Sequence, residues 1–304
     1  MKNLLASMAR GIGVVATTFA AMGTSVGCGG GAASGPPPAT AMSAPEQDDV
    51  AFGMLEHHRY HHHGGVMLFI AMSLDTLGVS PEQRAAVEKI RGELHAKMQP
   101  ARVAEQELES VLADGVAAAS FDGKKVDAAL TKLMETVEAS HDACDDALDE
   151  LHAALTPTQR AVLVEKVEAH WALWQRANSE GIGPTHSETD SLAMLATELD
   201  LTPEQVDRIR ADLSERAKAA ARFDAQEITT HLRAFGDAFR GDKFDAKALA
   251  TARSAHSHLV GWGASHMTQF VTTVSPVLTA DQRTKFAQRL REHSTHNPSA
   301  EANP

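Results

Sequence analysis

The chain has 304 residues, of which 43% are hydrophobic and 22% charged, enough apolar material for a sizeable core and too much for a disordered polymer. Its net charge of -12, without any run rich in Lys and Arg, argues against a nucleic-acid partner, because phosphate contacts need clustered cations. Aromatic residues make up only 5%, while Ala, Leu, Glu and Arg recur throughout, and this palette of good helix formers predicts an all-α fold.

Residues 1–27 carry Lys2 and Arg10, then an uncharged stretch rich in Gly, Ala and Thr, and read as a secretion signal. The apolar part is too short to span a bilayer, for which about 20 residues are needed. Ser25-Val26-Gly27-Cys28 resembles a bacterial lipobox, although Ser25 stands where leucine is usual. That resemblance implies lipidation of Cys28 and, with Gly29 rather than aspartate following, anchoring at the outer membrane; cleavage near Gly23 is the alternative. Removing residues 1–27, which hold two cations and no acid, takes the net charge from -12 to -14. Residues 28–50, rich in Gly, Pro, Ala and Ser, predict a flexible tether.

His57, His58, His61, His62 and His63 place five of the 16 histidines within seven residues. Neutral imidazoles at this density bind Zn, Cu or Ni without a purpose-built cage. The competing reading is a polar segment whose charge responds to pH as imidazoles protonate near 6.5. Further along, the segments Val79-Ser80-Pro81-Glu82-Gln83 and Leu155-Thr156-Pro157-Thr158-Gln159 share one pattern. It recurs as Leu201-Thr202-Pro203-Glu204-Gln205 and Leu278-Thr279-Ala280-Asp281-Gln282. The hydroxyl residue is an N-cap, proline suits the first helical position, and glutamine three places after the cap reaches back to complete a capping box.

Behind the first motif, Val87, Ile90, Leu94, Met98, Ala101, Leu108 and Leu112 keep helical spacing, predicting a long helix from Pro81 to about Ala113 kinked by Pro100. A second helix is expected from about Lys124 to His152, folding back antiparallel. His141, Cys144 and Asp145, side chains of metal-ligand type, share one face of it. Cys144 holds an apolar stripe position matched by Met267, so a buried small hydrophobe is the expectation. Met54, Met67, Met72, Met98 and Met134 either fill the core or form an adaptable apolar surface. The histidines His256, His258 and His266, without counterparts in the first half, read as ordinary surface or interior residues.

The motif spacings are 76 and 77 residues within pairs and 122 and 123 between them, and Phe121-Asp122 recurs as Phe244-Asp245. A tandem duplication is the expectation: residues 51–177 as the first unit with its histidine-rich lead-in, 178–190 as linker, 191–296 as the second unit, and 297–304 as a disordered tail. Neither a P-loop, a G-x-S-x-G elbow nor an H-E-x-x-H zinc motif occurs, and no enzymatic activity is expected.

Paired LTxxQ motifs in an exported helical chain resemble the Spy/CpxP family of periplasmic stress proteins, to which the zinc-associated ZraP also belongs. The resemblance implies a cradle of bent, antiparallel helices, usually dimeric. It also implies ATP-independent binding of unfolded or misfolded envelope proteins, metal binding, or restraint of a sensor kinase. Members are typically single units, so a duplicated chain would supply internally the pairing that others obtain by dimerising.

Overall fold

The computed structural model describes residues 65–178, 186–219 and 225–295. Ten α-helices run through them: α1 (Gly65–Thr76), α2 (Pro81–Lys97), α3 (Gln99–Ala117), α4 (Gly123–Ala154), α5 (Pro157–Asn178), α6 (His186–Glu198), α7 (Pro203–Ala219), α8 (Ala225–Arg240), α9 (Ala250–Val274) and α10 (Ala280–Thr295). Short 3-10 turns at Ala246–Ala248 and Ser275–Val277 flank α9. No strand occurs among the described residues, and none of these helices is long and apolar enough to cross a membrane. The fold is all-α, as composition and periodicity predict.

The long rod expected from Pro81 is instead two helices. Met98, at φ -83° and ψ -3°, ends α2 and starts α3. Pro100 has no N–H to continue the ladder, and it therefore sits in the first turn of a new helix, where none is required. Arg102 bridges the break by donating to the His95 carbonyl and to Gln99 Oε1, each at 2.7 Å. Helix α4 is longer than expected, because Asp122 caps it from outside, accepting from the N–H groups of Lys124 and Lys125. Its 32 residues make a rod of about 48 Å.

The described helices close two hydrophobic cores, and each draws on both halves of the sequence. One contains Leu68, Phe69 and Ile70 of α1, Val87, Ile90 and Leu94 of α2, the C-terminal half of α4, and Leu163 and Val167 of α5, with Phe235 and Phe239 of α8 inserted among them. The other contains residues of α6, α7, α9 and α10 together with Ala104, Leu108 and Leu112 of α3 and the N-terminal half of α4. The exchange is reciprocal: α5 packs on α8, and α10 packs on α3. Helices α4 and α9 cross between them. Leu108, Leu112, Phe239 and Leu163 have no exposed surface, and burial of each such side chain contributes about 1.5–3 kcal/mol.

Candidate functional site

The four motif segments meet in two pairs. In the first, the Gln83 side chain takes the Ser80 N–H on Oε1 at 3.0 Å while Ser80 Oγ accepts from the Gln83 N–H at 3.2 Å, a closed capping box. Thr156 and Gln159 close the same box at 3.0 and 3.3 Å. The two glutamines then join to each other. Gln83 Nε2 donates to Gln159 Oε1 at 2.8 Å, and Gln159 Nε2 donates back to Gln83 Oε1 at 3.1 Å. The second N–H of Gln83 goes to the Ala154 carbonyl at 2.9 Å.

The second pair repeats this geometry. Thr202 with Gln205 and Thr279 with Gln282 form closed boxes. Gln205 and Gln282 exchange amide bonds of 2.8 and 3.2 Å, and Gln205 also donates to the Val277 carbonyl. A primary amide has two donor hydrogens and an oxygen with two acceptor sites, and Gln83 and Gln205 use all four. Glutamate would lack both donors, and asparagine would be one methylene too short. Each pair thus clasps the starts of two helices about 76 residues apart in sequence. Leu155 and Leu278 are buried beneath the clasps, with Val79 and Leu201 packed at the core margins.

Backbone conformation repeats as well. Two residues before the first cap Gly78 has φ +57°, and at the same place before Thr202 Asp200 has φ +51°. Glycine adopts this left-handed geometry freely, and aspartate is among the few residues that tolerate it. Carboxylates at the second helical position add to the caps: Glu82 accepts from Ser80 Oγ at 2.8 Å. Bonds from its own backbone N–H and from Ser80 hold the Glu82 carboxyl below the usual range. Glu204 is lowered by the same causes, its own backbone N–H and Thr202.

Sequence reasoning missed the arginine that follows three of the four glutamines. Arg84 donates to the Leu74 carbonyl at 2.9 Å, Arg160 to Leu155 at 3.2 Å and Arg283 to Leu278 at 2.6 Å. Each ties off a carbonyl at a helix end or in the turn leading into a motif. The visible signal is the recurrence Q-R at Gln83, Gln159 and Gln282.

The structure also brings together two histidines 115 positions apart. His141 on α4 is buried, and its Nε2 lies 3.3 Å from His256 Nδ1 on α9, with ring centroids 5.5 Å apart. Helical periodicity cannot show such a pairing, since it depends on how two helices cross. Cys144 is buried in the core, as its stripe position predicts, and burial, with Asp145 alongside, pushes its thiol up to about 11. Met72 is buried, and Met67, Met98 and Met134 pack against the two cores. His258 pairs with Glu227 at 3.0 Å and His266 meets the Trp262 carbonyl at 2.9 Å. Cys28 and the cluster His57, His58, His61, His62 and His63 lie outside the described residues. Among the described residues no group of three or more His, Cys, Asp or Glu side chains is arranged to hold a metal ion.

Comparison with known families places the first clasp. The family model of the LTXXQ motif family matches residues 66–167, a span that opens in α1 and includes both Gln83 and Gln159. This is the Spy/CpxP-type signature, and LTXXQ proteins are generally periplasmic. No curated protein and no solved structure matches the chain. In the LTXXQ unit the signature glutamines are therefore the two halves of one interhelical clasp, not separate helix caps.

Proposed function

We propose that this chain is a periplasmic stress protein that binds unfolded or aggregation-prone envelope proteins without ATP, and that it is a tandem duplication paired with itself. The observation that supports this most is the second glutamine clasp, Gln205 with Gln282, which has the same bonds as the clasp inside the LTXXQ unit. The reciprocal seating of α8 on α5 and of α3 on α10 is the packing expected of two like units exchanging a helix. We further propose an anchor at Cys28 that tethers the body to the outer membrane through residues 29–50. Aggregation of several unfolded clients, followed by light scattering with and without the mature chain and in the absence of nucleotide, tests the binding role. Suppression at stoichiometric amounts is expected, and its absence with every client removes the proposal. Sedimentation at micromolar concentration tests the self-pairing, for which a monomer is the expected species.

A second reading rests on the density of imidazoles at His57–His63. It makes the protein a binder or sensor of Zn, Cu or Ni, with the helical body as carrier. Calorimetric titration of the intact chain and of a variant with those five histidines changed to alanine separates the two readings. Heats that do not change between the two proteins eliminate the metal site. An adaptor role toward a sensor kinase is the third proposal, and crosslinking in the envelope would identify that partner.

A further inference from the structure

The crossing of α4 and α9 has two chemically different ends. A shift of 123 residues relates Met134 to Ser257, Glu138 to Gly261, His141 to Ala264 and Leu133 to His256. One end is apolar: Leu133 and Ala264 are buried, and the Met134 sulfur and Cε lie within 3.5 Å of where a Cβ on Gly261 would stand. The other end is polar. There His256 Nδ1 faces His141 Nε2 at 3.3 Å, Ser257 Oγ is 3.4 Å from the same Nε2, and Ser257 Oγ donates to Glu138 at 3.3 Å. His141 is only 3% exposed, and its Nδ1 makes no hydrogen bond, with the Glu138 carboxylate 3.5 Å away.

This polar end lies between the two cores. On α4, Val137 belongs to one core and Cys144 to the other, with His141 between them. The facing imidazoles bond only while one nitrogen donates and the other accepts. A proton on each would set N–H against N–H and two positive charges about 3 Å apart, with His141 buried and His256 partly buried. On α4, Glu138 and the buried Asp145, one turn beyond His141, can offset charge. From α8, His231 adds a third imidazole with a buried Nδ1 that makes no hydrogen bond, and Glu227 on the same helix is engaged by His258. The start of α1 brings Gly65, with no charge, against the His256 ring. Helix α3 buries one carboxylate, Glu109, among apolar side chains, and the side chains that α7 buries, Ile209 and Leu213, are apolar.

We propose that the His141–His256 contact is an acid-sensitive latch, whose protonation parts α4 from α9 at this end and exposes apolar surface where the two cores meet. The direction follows from linkage. Burial first, then His141 and His231, push His256 down to about 4 from its ordinary 6.5, and burial lowers His231. A histidine lowered in the closed form favours closure fully above about pH 6.5 and loses that contribution as pH falls toward 4.

The test compares the mature wild-type chain with His141→Ala/His256→Leu, which copies the residues at the opposite end of the same crossing. Fluorescence of an apolar-surface dye and the Tm are followed from pH 7.5 to 5.0. The wild type should gain dye fluorescence several-fold and lose roughly 5 °C in Tm, and the variant should show less than half of either change. Equal responses in the two proteins overturn the latch. If the variant loses helicity, titration of the wild-type His256 ring protons by NMR decides instead. A midpoint below 5 supports the latch, and one near 6.5 overturns it.

Discussion

The core that includes α1, α2 and α8 holds a cluster of Phe rings in mutual contact around Phe239, whereas its counterpart is mainly aliphatic, with Phe270 and Phe286 buried in it. In the first, Phe239 contacts Phe235 and Phe244 at ring-centroid distances of 5.3 and 5.0 Å, and His152 stacks on Phe244 at 5.2 Å. At the places 123 residues away the second core has Leu112, Val116, Phe121 and Ser275. Around these different fillings the two glutamine clasps are alike almost bond for bond. Apolar packing asks only for volume in the right place and tolerates exchange of shape among neighbours. The clasp asks for a primary amide at one reach from the backbone, and only glutamine supplies it.

The helix exchanges show the same freedom. On one side a Cβ on Gly236 would come within 2.6 Å of Val164, so glycine on α8 makes room for valine on α5. On the other, the corresponding residues are Ala113 and Ala287, both buried. One contact pairs glycine with valine and the other two alanines. The ion pairs differ as well: Arg240 on α8 pairs with Glu168 on α5 at 3.1 Å, while Arg291 on α10, 123 residues from Glu168, pairs with Asp114 on α3 at 2.7 Å.

The contrast between cores can be broken most severely at Phe239. Phe239→Ala should cost about 3–5 kcal/mol in chemical denaturation, and Val116→Ala at the matching place about 2 kcal/mol. Equal losses would mean that the aromatic cluster adds nothing to its core. Gln83→Ala and Gln205→Ala should each cost about 1–2 kcal/mol, since each strands a half-buried amide partner. A double-mutant cycle of Gln83 with Gln159 should show a coupling of about 0.5–3 kcal/mol, matched by Gln205 with Gln282. A coupling in one clasp alone would sharpen the comparison by separating the two units in stability.

Gly236→Ala should cost about 1–3 kcal/mol by overpacking against Val164. Adding Val164→Ala, which recreates the alanine pair of the other exchange, should return part of that loss; an additive loss instead would show that the strain lies elsewhere. The smallest effect is expected from Arg291→Ala, below about 1 kcal/mol and diminished further by salt, because its ion pair with Asp114 is solvent-exposed. Thermal melts at low and high ionic strength would detect it.

Much of the helical layout was legible because its signals are local. A hydroxyl, a proline and a glutamine within four residues announce a helix start wherever they occur, and the apolar stripes of α2, α3 and α4 follow from spacing alone. The break at Met98 was half visible, since Pro100 marks a disturbance without saying whether the helix bends or restarts. The arginine after the motif glutamine was visible as a repeat but not as chemistry, because its acceptors are carbonyls of the preceding helix end or turn. His141 shares a face with Cys144 and Asp145, and His256 reads as an ordinary surface or interior histidine. Nothing in either neighbourhood names the other.

The amino-acid sequence by itself determined the helical class, the four capped starts and their regular spacing, since capping and amphipathicity depend on residues within one or two turns of each other. Only the tertiary structure decided that the glutamines lock together in pairs, that neither half closes a core alone, and that two histidines meet where α4 and α9 cross. Those outcomes depend on the angle and register at which helices more than 70 residues apart are packed, and burial of apolar surface sets these without leaving a local mark in the chain.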